Sequence, residues 1–137
     1  MDWFWGVPLL IFTTVAHVGA IALTAMLFER FRGARAPTVT KFIFFVGLAA
    51  LITTGLLALE AAAWAHLYVG LGALPDEQAG MLYSLEAMTS YGHENQFLES
   101  HWRLLGAIEA VNGLILFGLS TACLFAFIQH SWPFRRP

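Results

Sequence analysis

Three stretches of this chain, Trp3 to Phe28, Phe42 to Val69 and Leu104 to Ile128, run on almost without charge. Glu60 and Glu109 are the ionised-type exceptions that matter, with His17 and His66 as titratable company. Each stretch exceeds the ~20 apolar residues a helix needs to cross a bilayer. A soluble fold of 137 residues cannot hide that much apolar surface, because small domains leave much of their area exposed. The charged fraction of 12% tells the same story, against about 25% in an ordinary soluble domain. The expectation is an all-α membrane protein with three transmembrane helices. The first stretch lacks a basic leader and is too long for a cleavable signal, so it reads as an uncleaved span.

The loops set an expected orientation. Arg30, Arg32, Arg35 and Lys41 follow the first span, and Arg135 and Arg136 follow the third. The segment after the second span, GLGALPDEQAG, carries only acids. The positive-inside rule then predicts a multi-pass protein of the cell (inner) membrane, with the C-terminus cytoplasmic and the N-terminus and the 70–101 region outside. Trp3, Trp5, Trp64, Tyr68, Trp102 and Trp132 sit near the expected ends of spans, as an aromatic belt does. No basic stripe points to nucleic acid. Walker loops, dinucleotide fingerprints and nucleophile elbows are lacking, so no enzyme is expected. Cys123 is the lone cysteine and lies in an apolar run, which rules out an intrachain disulfide and suits a small buried hydrophobe.

Between the second and third spans the character changes. Pro75-Asp76-Glu77 is a helix-start signal, since proline and acids suit a first turn at the positive end of the macrodipole. A helix over residues 76–88 is too short to span. The polar run MTSYGHENQFLESHW follows and leads back into an apolar segment. Irregular backbone at membrane depth is tolerated only where protein or water covers it. The run is therefore either a surface loop or the lining of a pore.

The stretch YSLEAMTSYGHENQFLESHWRLLG resembles the pore loop of the tetrameric potassium-channel family, above all its small bacterial members. In that family a pore helix leads into a filter, TVGYGD or TTLGYGD, and then into an inner helix. Without a gap, Thr89 and Ser90 match the two threonines, Tyr91 the aliphatic position and Gly92 the first glycine. His93 stands at the aromatic position, Glu94 at the second glycine and Asn95 at the aspartate. Trp102-Arg103 resembles the start of the inner helix, and Gly113 falls where the family often has a hinge glycine.

The resemblance covers about residues 42–130 and implies a re-entrant pore helix and filter loop added to the three spans, in a fourfold assembly. The implied organisation is an extra N-terminal helix (1–30), a cytoplasmic linker (31–41) and a pore module (42–137). That module comprises an outer helix (42–69), a pore helix (76–88), a filter (89–95) and an inner helix (102–130). A ring of backbone carbonyls replaces the ion's hydration shell in such a filter, so four chains are required. The permeant species would be monovalent cations, potassium and to some degree sodium. Partners would be lipid and three further copies, with no cofactor. Glu94 departs most, because a non-glycine residue at positive φ costs on the order of 1–2 kcal/mol. Four copies of it would ring the outer mouth with acids, which favours cations and weakens discrimination among them.

Other polar residues have two readings each. Glu86, late in the short helix, could brace the filter or bond to local backbone. Asn112 could face a water-filled cavity or act as packing glue between helices, and Gly113 could be a hinge or permit close packing. Glu60 and Glu109 suit pairing with Arg103 or snorkelling to the interface. Two readings from other classes stay open. One is a non-conducting or accessory membrane subunit. The other is a haem-binding respiratory anchor using His17 and His66, whose expected depths match poorly for axial ligation.

Overall fold

The computed structural model describes residues 2–32, 38–89, 91–92 and 97–132. Four helices follow in order: α1 Asp2–Arg32, α2 Val39–Gly70, α3 Glu77–Met88 and α4 Arg103–Ser131. No strand occurs among the described residues. α1, α2 and α4 are long and apolar enough to cross a membrane. Their bounds lie within four residues of the spans expected from hydropathy. Much of their outer surface is large apolar side chains, such as Phe12, Leu51, Leu59 and Leu114, the composition that hydrocarbon solvates.

α1 and α4 run in the same direction. Gly6 lies against Leu105 and Ile108, Asn112 donates to Thr13, His17 meets Ser120, and Phe28 stacks on Phe127, so the two helices stay in step along their length. α2 runs opposite to both. The end of the three-helix bundle at the C-termini of α1 and α4 is closed by Phe28 between Phe45 and Phe127, with ring centroids 5.0 and 3.9 Å apart. The start of α1 and the start of α4 therefore share one end of the bundle.

α3 occupies that same end. Its N-cap is Asp76, whose carboxylate accepts from the Ala79 N–H at 2.8 Å, as the Pro-Asp-Glu signal anticipates. From there α3 descends between α2 and α4 rather than over them. Gly80 sits on the backbone of Ala65, Tyr83 packs into the core cluster of Trp64, Tyr68, Leu98 and Leu105, and Met88 contacts Ala61 and Leu116. Small residues make this approach possible. A Cβ at position 113 would lie 2.7 Å from Met88 Cα and 2.8 Å from its carbonyl oxygen, and one at 106 would collide with the Tyr83 hydroxyl.

Two expectations are corrected here. Trp64 and Tyr68 do not belong to an interfacial belt; both are fully buried in the core under α3. Trp3, Trp5 and Trp132 are exposed at helix ends, where a belt would have them. Hydropathy fixes how deep a residue sits along a span and says nothing of which way round the helix it points.

The contact at Gly113 generates a prediction. In Gly113→Ala the obstructing atoms are backbone and cannot rotate away, so thermal unfolding in detergent should show a loss of about 1–3 kcal/mol, the usual range for overpacking. Gly118→Ala meets nothing within 4 Å and should be neutral or stabilising through helix propensity. Equal effects at the two positions would contradict the contact.

Candidate functional site

The loop that the sequence marks out begins where α3 ends. Met88 rests against Gly113, ten residues along α4 from Arg103, or ~15 Å at the helical rise per residue. Thr89 is the C-cap, extended at φ −108 and ψ 173. Its N–H and its hydroxyl both turn back to the Leu85 carbonyl, at 3.1 and 2.7 Å, so two donors converge on one of the acceptors that a helix end leaves open. The Tyr91 N–H reaches the Thr89 hydroxyl at 3.4 Å. Gly92 has φ +83, a conformation that a side chain would disfavour. The Tyr91 side chain is 74% exposed in the isolated chain. Ser90, His93, Glu94 and Asn95 lie outside the described residues.

Glu86 is buried two residues before the end of α3. On the same helix, burial foremost and then the nearby carboxylates of Glu109 and Glu86 push the Tyr83 phenol up to about 12. Tyr83 is thus a neutral donor throughout the physiological range.

The inward faces of α1, α2 and α4 carry a seam of buried polar side chains. At the end where α3 enters, the Tyr68 hydroxyl donates to Glu109 Oε2 at 2.6 Å, with both residues fully buried. Ser84 of α3 lies beside the same carboxylate, outside hydrogen-bond geometry. One turn further in, the Asn112 amide donates to the Thr13 hydroxyl at 2.7 Å and its oxygen accepts from Thr14 at 3.2 Å. Deeper still, His17 is fully buried, with Nδ1 2.8 Å from Glu60 Oε1 and Nε2 3.0 Å from the Ser120 hydroxyl.

These contacts place several residues that had paired sequence readings. Asn112 turns to α1, donating to Thr13 and accepting from Thr14. Gly113 serves close packing at Met88. Glu60 and Glu109 neither pair with Arg103 nor snorkel; each is buried against a partner on another helix. Both ring nitrogens of His17 have protein partners, and the exposed His66 imidazole pairs with Glu77 of α3 at 2.8 Å. Sequence reasoning missed the histidine–glutamate pairing. Its signal was the placement of one histidine and one carboxylate near the middle of separate apolar spans, where each needs a partner.

Comparison with protein-family models, with curated proteins and with solved structures gives no match.

The seam yields its own prediction. Tyr68→Phe removes the donor to a fully buried carboxyl and should cost about 1–3 kcal/mol by denaturant titration in mixed micelles. Changing both partners, Tyr68→Phe with Glu109→Leu, should recover part of that loss, since no orphaned group then remains. A double variant as unstable as the sum of two independent losses would mean that the two side chains do not interact.

Proposed function

We propose that this protein is a subunit of a fourfold cation channel of the potassium-channel type, with α3 as a re-entrant pore helix and residues 89–95 as a divergent filter. The observation that carries the reading is the path of α3. A helix of twelve residues enters at one end of a membrane-length bundle and stops at Met88, about half-way along the ~30 Å hydrocarbon thickness. A polar segment follows immediately and then returns to the end from which it came. A simple surface loop has no reason to descend this far. The C-terminal end of α3 also carries the negative end of its macrodipole, which favours a cation nearby. The extended backbone of Thr89 and the positive φ of Gly92 suit a segment that presents carbonyls to an axis.

One copy supplies a quarter of a carbonyl ring, so the reading requires four. The apolar surface of Leu82 and Leu85 on α3 and Val111 and Leu114 on α4 offers area for neighbours or lipid. α1 is a scaffold strapped along the inner helix α4. The orientation follows the positive-inside argument: loop and N-terminus outside, C-terminus in the cytoplasm of a bacterial cell. A channel-like subunit that does not conduct would share this architecture, and conduction separates the two.

Mass measurement in detergent should give a tetramer; a stable monomer or dimer would remove the pore. In planar bilayers under opposed potassium and sodium gradients, the reversal potential should reveal weak discrimination, with millimolar divalent cations blocking from outside. Protonating a carboxylate ring removes the charge that attracts the blocker, so block should weaken as external pH falls. Changing His93→Tyr, Glu94→Gly and Asn95→Asp together should raise potassium selectivity at least tenfold. Strong selectivity in the unaltered protein, or unchanged permeability ratios in the triple variant, would overturn the assignment of TSYGHEN as a filter.

A further inference from the structure

α1 and α2 are joined by the His17–Glu60 bond and by the ring pair of Phe28 and Phe45. Beside that ring pair, an apolar groove of about 210 Å³ lies between the two helices. Phe28 and Ala49 form its buried floor, and Leu27 and Leu48 stand exposed at its rims. Thr24 is the one polar residue on its lining, and the Thr24 hydroxyl is donated to the Ala20 carbonyl of its own helix at 2.8 Å. Water needs several polar partners to stay in a cavity, and these side chains offer none. Along helices long and apolar enough to cross a membrane, the material at hand to cover such a groove is hydrocarbon.

The groove runs to the end of the bundle where α1 stops and α2 starts. Lys41 heads the stripe of α2 that lines it: Lys41, Phe45, Leu48 and Ile52 follow at i, i+4, i+7 and i+11, one face of a helix. On α1, Arg30 stands nearly one turn beyond Leu27. Both basic residues are exposed, and neither has an ion-pair partner among the described residues. Long basic side chains reach from such positions to the headgroup layer. The groove on the other side of α1 differs. It lies against α4, with Cys123 and Ala126 on its lining, and ends on Glu29, whose carboxylate pairs with His130 at 2.9 Å. Phe28 is the wall between the two. One groove thus ends in unpaired cations and the other in an acid, so charge selects the α1–α2 side for an anionic head.

We propose that the α1–α2 groove binds one anionic phospholipid, with an acyl chain seated over Ala49 and Phe28 and the phosphate held by Arg30 and Lys41. The chain covers apolar floor that no side chain covers, and it displaces nothing that is hydrogen-bonded. The head makes charge-assisted contacts to the two cations. Specificity needs both parts: the groove alone accepts any phospholipid, and the cations alone accept any phosphate. A seated chain also supplies dispersion contacts that the parted helices do not make with each other, so it tightens the packing of α1 on α2. The lipid enters from the leaflet that the basic linker faces, the cytoplasmic one by the positive-inside argument. The site does not rest on the channel reading.

The test uses the purified full-length chain in detergent, with bound lipid counted by native mass spectrometry. The probes are phosphatidylglycerol and phosphatidylcholine carrying the same oleoyl chains. Phosphatidylglycerol should bind at one per chain and about tenfold tighter than phosphatidylcholine, the scale of two basic residues acting on one anionic headgroup. Arg30→Gln with Lys41→Gln should reduce that preference to about twofold or less. Arg103→Gln, at the opposite end of the bundle, should leave it whole. Ala49→Phe puts a ring on the groove floor and should weaken both lipids severalfold. If that variant does not fold, Leu48→Trp covers the groove from its exposed rim, with the same expected loss. Glycerol phosphate, a head without a chain, should not displace the lipid. Equal affinity for the two lipids, or a preference that survives the double change, overturns the headgroup contact. Phosphatidylglycerol binding undiminished by the groove substitutions overturns the chain's seat. Displacement by glycerol phosphate makes this a soluble-anion site and overturns the lipid. A groove substitution that changes the mass of the protein assembly, with the lipid count unaltered, puts a second copy in the groove and overturns it as well.

Discussion

A helix that ends inside a bundle must come close enough to its neighbours to exclude everything else, and here that approach depends on backbone-to-backbone contact at Gly113. Met88 lies in the notch that a missing side chain leaves in α4, as Gly80 lies on Ala65 of α2. The placement of α3 from Gly80 to Met88 follows from those contacts. At the end of α3 the N–H and the hydroxyl of Thr89 both donate to the Leu85 carbonyl.

The second organising feature is the polar seam. Membrane helices gain little from burying apolar groups against one another, because lipid is already apolar. Specific bonds then have a larger share in choosing which helix lies against which. The pairs Tyr68–Glu109, Asn112–Thr13 and His17–Glu60 fall at successive depths, and each joins two different helices. Shifting α1 by a single turn along α4 would break the second and third together and strand an imidazole and a carboxylate in hydrocarbon. The seam thus fixes register as well as proximity. A different kind of pair sits at the helix ends: His66 with Glu77, and His130 with Glu29 at 2.9 Å, both substantially solvent-exposed and each contributing little on its own.

The helices were legible in the sequence because length and hydropathy are one-dimensional properties. Three uncharged runs and the Pro75-Asp76-Glu77 start needed no tertiary information to be read, and α3 begins where that signal put it. What was illegible is azimuth. Glu60, Trp64 and Tyr68 recur at helical spacing, which says that they share a face; nothing in the sequence says that the face turns to protein rather than to lipid or headgroups. The same ambiguity left Asn112 between cavity and packing. It also hid the tie between His17 and Glu60, because their partnership depends on α1 running alongside α4, and a chain with short linkers could have arranged its first helix elsewhere. The polar residues His93, Glu94 and Asn95, which stand out most in the sequence, lie outside the described residues, so their proposed roles rest on the resemblance alone.

The notch at Gly113 has a mechanical corollary. The glycine that the sequence offers as a hinge in α4 also seats the last turn of α3. A pivot there is also a bearing surface: rotating the C-terminal half of α4 about it must either slide beneath Met88 or carry Met88 along. The last turn of α3 and the C-terminal half of α4 then share one degree of freedom in place of two. Such a molecule has no means of moving one of them in silence.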